Sequence, residues 1–492
     1  MNMKVGVIGA GIGGLAVALR LAAKGHHVTV YEKNSKPGGK ISEFRVNGYR
    51  FDTGPSLFTL PELTKELFDI CGESIDEWIP YESLPTNCKY FFPDGTVFNF
   101  YQDKEQLTEE INTKTKDSIE DLQKRLDKSE EVYNLSAPVF LFRPFARKLS
   151  DFNTPPYKKI AKKLFKLDFF RTMNQANKKD FSDENLIQLF NRYATYNGSD
   201  PHKAPATLNM IAHLENNIGA YFPLKGMYSI ADSLYRLALL KGVEFCFDSP
   251  VSRIITENKK ATGITIHNRK ELYDVVVSDV DVRYVANNMI ENYPLKKRLN
   301  KGEPSSSAMI FYWGINRTFD NLELHNILFS GDYKDEFRKI FKEKTVSKDP
   351  TVYIFISSKL VKEDAPVGCE NWFVMINVPS NSGQYNKEMT ARIRKRIIAK
   401  INQELDTDIE KYIEEEKIAC PVAIEAATNS VDGALYGISS NSMFSAFLRH
   451  PNSLKKIRNL YFTGGSVHPG GGIPLCLANA KIVDDLIAED YE

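Results

Sequence analysis

Cysteine is scarce in this chain, with six in 492 residues. Cys71, Cys88, Cys246, Cys369, Cys420 and Cys476 form no C-x-x-C pair and show no metal-ligand spacing. That excludes a disulfide scaffold and a thiolate metal centre, and reduced core thiols of a cytoplasmic protein are expected. Charge of one sign is also missing. A net charge of +1 gives no global nucleic-acid or acidic-partner signal. No run approaches about 18 apolar residues, so no segment reads as a membrane-spanning helix. The first apolar strand begins at Lys4, which leaves no room before it for a signal peptide. Internal repeats, low-complexity tracts and a Ser/His/Asp set are absent as well. The length exceeds a single core, so two or three lobes are expected.

What is abundant is glycine in turns. Val5–Ile8 is a short apolar run that reads as a buried parallel strand. Gly9, Gly11 and Gly14 follow as G-x-G-x-x-G, enclosing Ala10, Ile12 and Gly13. Leu15 to Ala23 has helical spacing, Gly25 stops it, and Val28–Tyr31 forms a second strand ending at Glu32. Strand, glycine turn, helix, strand and acid in that order form the dinucleotide fingerprint. Gly9 permits the tight turn, Gly11 lets the backbone approach a pyrophosphate on the helix N-terminus, and Gly14 lets helix and strand pack. Glu32 suits a ribose with a free 2′-hydroxyl, as in FAD or NAD.

The same message returns at the far end. Asn459–Gly465 is an apolar strand ending in glycines, Ser466 to Pro474 is a second glycine-rich turn, and a helix is expected from Leu475 to Ala488. Two such turns at opposite ends suit one long cofactor.

Two stretches carry a family resemblance. Glu32-Lys33 followed by Pro37-Gly38-Gly39-Lys40, with Phe51-Asp52-Thr53-Gly54-Pro55-Ser56 beyond, resembles the carotenoid desaturases of the flavin amine oxidase superfamily. Gly464-Gly465-Ser466-Val467-His468-Pro469-Gly470-Gly471-Gly472-Ile473-Pro474 resembles the same family. It is closer there to the hydroxycarotenoid 3,4-desaturases than to the phytoene desaturases. The resemblance is strongest over 4–70 and 425–492, and weaker over 222–281. It implies FAD as cofactor and a flavin end beside the C-terminal turn. Its cofactor-binding residues would be Gly9 to Gly14, Glu32, Lys33, Gly39, Lys40, Gly54, Pro55, Ser56, Leu57, Val251, Gly464, Gly465, Ser466, Gly472, Ile473 and Pro474. Lys225-Gly226-Met227 stands where the family usually has Gly-Gly-Met, which leaves that loop's role open.

The implied fold is α/β, with a discontinuous FAD-binding Rossmann-like domain in three pieces, 1–75, 220–290 and 425–492. An antiparallel-sheet substrate domain would occupy 76–105 and 291–424. A helical, membrane-associating subdomain would occupy 106–219. Strands are expected at Ser307–Trp313, Val352–Ser357 and Trp372–Asn377, and helices over 104–133, 230–240 and 392–404.

Between Arg143 and Lys179, eleven basic residues face only Asp151 and Asp168, and aromatic residues are interleaved. Ile160, Leu164, Leu167 and Phe170 share a helical face. A basic amphipathic helix of this kind reads either as a membrane-surface element, over about 138–179, or as a core-facing helix with a solvated back. A water-insoluble polyene substrate favours the first, in a cytoplasmic protein attached peripherally to a membrane.

The implied reaction is desaturation. A hydride leaves an allylic carbon for flavin N5, a proton leaves the neighbouring carbon, and the polyene gains a C=C bond. The protein then orients substrate and excludes water. His468, Glu425 and Asp432 are the candidate acid–base residues, each with an equal claim to a role in loop structure. A phytoene desaturase, a redox-neutral carotenoid isomerase, an amine oxidase and a prenyl-lipid-binding protein are the alternatives. No metal is implied, and nothing in the sequence addresses oligomeric state.

Overall fold

A computed structural model describes residues 2–144 and 153–491. Its first sheet is built from the apolar runs described above. β1 (Lys4–Ile8) and β2 (His27–Tyr31) pair in parallel, connected by helix α1 (Ile12–Ala23). Val275–Ser278 pairs with β1 on its other side, and Ile457–Phe462 pairs with Val275–Ser278, both in parallel. The strand order is therefore 457–462, 275–278, 4–8, 27–31, 244–246, inside a nine-stranded sheet among the described residues. Strands far apart in sequence stand side by side, so the domain is discontinuous.

Alternation along these strands explains their continuous apolarity. Val5, Val7, Val28, Val30, Val275 and Val277 pack with α1 and the C-terminal helix Ile473–Tyr491. Ile8, Val276, Leu460 and Phe462 face the opposite layer. A parallel sheet covered on both faces needs branched side chains on both. Each such buried side chain contributes about 1.5–3 kcal/mol.

The second sheet has seven strands among the described residues, in the order 413–419, 307–315, 370–378, 352–356, 325–328, 86–91, 97–101. The expected antiparallel sheet holds with one correction. His325–Leu328 runs parallel to Thr86–Phe91, because the chain reaches that edge from a distant segment rather than by a hairpin. One face presents Ala308, Ile310, Tyr312 and Phe373 toward the nucleotide-binding half. The other buries Met309, Phe311, Trp313, Trp372 and Val374 against Ile393, Ile397 and Ile401 of helix Lys387–Leu405.

The charged stretch from Lys104 forms two helices, Lys104–Lys114 and Ile119–Phe140. Ser118 and Asp121 cap the second reciprocally. The expected single amphipathic face over 160–170 does not form. Helix Pro155–Lys162 ends, a short 3₁₀ turn Leu164–Leu167 follows, and Asp168 adopts a left-handed φ of 57°. Asp168 there binds the Arg171 guanidinium. Ile160 and Leu167 are buried, whereas Phe165 and Phe170 are 80% and 90% exposed. Arg147, Lys148 and Asp151 of the basic segment lie outside the described residues. No helix among the described residues is long and apolar enough to cross a membrane, and all six cysteines are free thiols.

Candidate active site

The glycine turns at the two ends of the chain meet. Gly9 turns tightly at φ +99° and donates its N–H to Tyr31 O at 2.8 Å. A Cβ on Gly14 would lie 2.0 Å from Gly9 O, so only glycine lets α1 start this close to β1. A Cβ on Gly13 would lie 2.8 Å from Gly464 N and from Thr463 Oγ1. Helix Ile473–Tyr491 fixes that second turn through Asn479, whose Oδ1 accepts from Gly464 N at 3.2 Å and whose Nδ2 donates to Gly464 O at 2.9 Å. Gly38 N donates to Ala10 O at 2.8 Å, which sets the 38–40 turn against the first.

One cavity of about 950 Å³ runs from these turns into the space beneath the second sheet. Gly9, Gly11, Ile12, Gly13, Glu32, Lys33, Gly39 and Lys40 line it, as do Gly54, Pro55, Ser56, Leu57 and Val251. Gly464, Gly465, Ser466, His468, Gly472, Ile473 and Pro474 complete that end. Two expected contacts stand behind the wall instead. Ala10 gives its N–H to Glu32 Oε2 at 2.9 Å, and Gly14 packs under Gly9. Loop 225–227 is also away from the cavity. A Cβ on Gly226 would strike the Arg50 guanidinium at 2.1 Å. Asp52, which pairs with Arg50 at 2.7 Å, caps helix Tyr228–Leu240 through Met227 N and Tyr228 N. Its role is structural.

The electrostatics of the turns suit a dinucleotide. Glu32 is buried at the end of β2, where its Oε1 accepts from Asn34 N at 2.9 Å. Lys40 is half-buried, and its ammonium donates to Leu435 O at 2.5 Å. Among the described residues no carboxylate lies within ion-pair distance of it, and burial lowers its pKa. Such a cation gains most from an anionic ligand. Asp279, beyond strand Val275–Ser278, was not singled out from the sequence. Burial pushes its carboxyl up to about 7, the N–H groups of Gly14 and Gly11 oppose this, and the Glu32 charge adds to it. Its place at the C-terminal end of the strand beside β1 is where ligands of parallel sheets bind.

The acid–base candidates take loop roles. His468 is buried, and its Nε2 lies 2.8 Å from Arg143 O, so it donates there. Burial lowers its pKa to about 4, and the ring stays neutral. Glu425 accepts from Asp432 N at 3.0 Å, and Asp432 pairs with Arg283 at 2.7 Å. Neither carboxylate lines the cavity. Cys476 does, but burial raises its thiol to about 12, which excludes a thiolate nucleophile. No group of His, Cys, Asp and Glu among the described residues could hold a metal ion.

Beyond Ser56 the wall turns apolar. Ile310, Tyr312, Ile327, Phe373 and Met375 come from the second sheet, and Leu208, Met210, Ile211 and Leu214 from the helical segment. Phe140 and Phe447 also line it, with ring centroids 5.0 Å apart, and Phe169 stands edge-on to Phe447 at 5.2 Å. Polar groups are interspersed, among them Arg192, Glu215, His325, Tyr353, Asn377 and Arg449. No motif announces them.

The chain matches the flavin containing amine oxidoreductase family over residues 12–483. It is 46% identical over 481 residues to a 1-hydroxycarotenoid 3,4-desaturase of Flavobacterium sp. (strain P99-3), covering 98% of each chain. A 4,4'-diapolycopene oxygenase of Methylomonas sp is 30% identical over 498 residues, covering 100% of this chain and 99% of that protein. The crystal structure of an oxidoreductase from Methanosarcina mazei superimposes with a TM-score of 0.62 at 16% identity, covering 99% and 100% of the two chains. This protein therefore belongs to the flavin-containing amine oxidoreductase family, and FAD is its cofactor.

Proposed function

We propose that this protein is an FAD-dependent desaturase of carotenoids, acting on a 1-hydroxylated polyene to form the 3,4 C=C bond. The observation that carries the reading is the near full-length match to a protein of that activity. The cavity is consistent with it, since a dinucleotide cradle opens directly into an apolar chamber. Residues 1–75, 220–290 and 425–492 would carry FAD, 76–105 and 291–424 the chamber wall, and 106–219 the helices around its mouth. The cavity-lining residues from Gly9 to Lys40, Gly54 to Leu57, Val251, and Gly464 to Pro474 would hold the cofactor.

Bound FAD supplies a two-electron acceptor. This chain's residues supply position and dryness. Tyr312, Phe373 and Met375 line one wall, against which an extended polyene would lie beside the cradle. With a polyene seated, the apolar walls would keep water from the reacting carbons. In the overall reaction two hydrogens leave adjacent carbons, one C=C bond forms, and two electrons pass to the flavin.

Delivery from a membrane is part of the reading. Phe165 and Phe170 are strongly exposed, and Phe444 and Leu448, on either side of Phe447 in sequence, are 68% and 48% exposed. In sequence they stand next to or within a few residues of Phe169 and Phe447, which with Phe140 form one aromatic cluster. Lys158, Lys159, Lys162 and Lys163 flank it in the sequence. Exposed aromatics beside lysines favour an anionic lipid surface.

The test is pigment mass in cells supplied with this protein and one carotenoid at a time. Loss of two hydrogens from a 1-hydroxylated carotene, and not from phytoene, is expected. Stepwise loss from phytoene would make it a phytoene desaturase. A gain of oxygen would align it with the Methylomonas relative, and an unchanged mass would leave isomerisation.

A further inference from the structure

The carboxyl group of Asp279 stands where an anion is expected. Asp279 N donates to Ile8 O at 2.8 Å, and Thr463 N donates to Ser278 O at 2.9 Å. These bonds hold the residue between the end of β1 and the turn that follows Phe462. Its side chain reaches across both glycine turns. A Cβ on Gly11 would lie 2.3 Å from Asp279 Oδ2, and a Cβ on Gly13 or Gly464 would lie 2.7 or 2.2 Å from Oδ1. The residue lines the cavity and is half-buried. It therefore borders the space into which Gly11 and the N-terminus of α1 would draw a diphosphate.

Two anions cannot share that place cheaply, because like charges disfavour each other's ionised form. No Lys, Arg or His among the described residues lies within ion-pair distance of Asp279. The groups that face it are Glu32 at the end of β2, Lys40 of the 38–40 turn, Asp281 two residues on and Cys476 of the C-terminal helix. Glu32 adds repulsion. Lys40 favours the charged form, yet its ammonium donates to Leu435 O rather than to Asp279. The Cys476 thiol, at about 12, is neutral, and burial raises the Asp281 carboxyl. The N–H groups of Gly14 and Gly11 also favour the carboxylate, but they belong to the helix start that a diphosphate would use. Burial outweighs them and holds the free Asp279 carboxyl at about 7. A diphosphate beside it would raise that value further.

We propose that Asp279 is a cofactor contact that works as the neutral acid: its O–H donates to an oxygen of the FAD diphosphate, and FAD binding takes up one proton from solvent. A protonated carboxyl has the one donor this contact needs. The proposal rests on FAD lying at these two turns and not on which pigment reacts. Flavin loading is then weakened by alkali, through a residue that no dinucleotide motif marks.

The sign follows from proton linkage. Well below pH 7 the free and the FAD-bound protein both carry the proton, and affinity is level. Above it only the bound form keeps the proton, so the dissociation constant rises by up to about tenfold per pH unit. FAD-loaded, full-length protein is diluted at intervals from pH 6 to pH 9, and released FAD is read from its fluorescence. Melting curves at each pH check that the protein stays folded. A rise in the dissociation constant of at least about tenfold between pH 7 and pH 9 is expected. Asp279→Asn keeps the shape and a donor without the charge, so its affinity should be level and exceed that of the native protein at pH 9. Lys40→Met should bind FAD more weakly at every pH and keep the rise, and Asp281→Asn should keep the rise as well. A level native affinity would overturn the proposal. So would a rise that survives Asp279→Asn, or one that disappears in Lys40→Met or Asp281→Asn. If Asp279→Asn does not melt cooperatively, Asp279→Ser takes its place, with the same level profile expected and a surviving rise counting against the contact. Native protein that retains no FAD even at pH 6 would overturn the cradle reading along with this contact, whereas a level affinity overturns this contact alone.

Discussion

The cavity has two ends built on opposite principles. At the cradle, backbone does the work, and side chains are excluded where a Cβ on Gly14 or Gly54 would lie 2.0 or 2.1 Å from a carbonyl oxygen. At the chamber, side chains form the wall, drawn from strands such as Thr86–Phe91, Ser307–Ile315, His325–Leu328 and Glu370–Val378. A backbone site admits one shape and one cofactor. A side-chain site can be resized by substitution while the sheet beneath it stays intact. The contrast teaches where each kind of change should be felt: cradle changes in flavin content and folding, chamber changes in which pigment reacts.

The largest break in that contrast comes from Gly14→Ala. The added methyl must displace the β1–α1 turn, at a cost of about 3 kcal/mol or more. Protein purified without flavin absorbance and with a lowered melting temperature is expected. Full flavin content would show that the turn yields.

Acidity strikes both ends together. His325 is held neutral by burial with a pKa of about 3, and so are His450 at about 3 and His468 at about 4. Unfolded histidines take up a proton near pH 6.5. Between that value and the folded values the unfolded state binds more protons, so stability falls as pH is lowered. The slope reaches about 1.4 kcal/mol per pH unit for each histidine. Urea midpoints at pH 7 and pH 5 measure it, and His450→Gln should make the slope shallower.

Glu32→Gln sharpens the cradle side. It replaces one accepting oxygen by an NH2 group that cannot accept from Ala10 N or Asn34 N, so FAD affinity should fall by about 1.5–3 kcal/mol and the melting temperature should fall with it. Titration of the flavin-free protein with FAD checks this. The smallest effect is expected at the mouth. Phe165→Ser combined with Phe170→Ser should slow turnover of vesicle-borne pigment about three- to tenfold and leave pigment in detergent unaffected, since each ring contributes only partial burial in lipid.

The same contrast explains what could be read from the sequence. Gly9, Gly11, Glu32, Lys40 and the 464–474 turn were legible because a backbone site needs particular residue types at short fixed spacings. Residues of both glycine turns and the acid line the cavity. Ala10 and Gly14 belong to the same motif but support it from behind. Arg192 and His325 were not legible. They come from a 3₁₀ segment and a strand remote from each other in sequence, and only the tertiary fold brings both to the cavity lining. The 160–170 face was misread because helical periodicity ignores a residue such as Asp168, whose left-handed φ ends the helical path. Asp279 lacks a motif, yet its position just past a buried strand beside β1 was an available signal.

The most direct measurement of the central claim is anaerobic. FAD-loaded protein is mixed with a 1-hydroxylated carotene in vesicles, and flavin absorbance and pigment mass are followed together. Bleaching of the oxidised flavin in step with loss of two hydrogens per flavin is the expected result. Flavin that stays oxidised while the pigment mass is unchanged, or a pigment that gains oxygen once air is admitted, would contradict it.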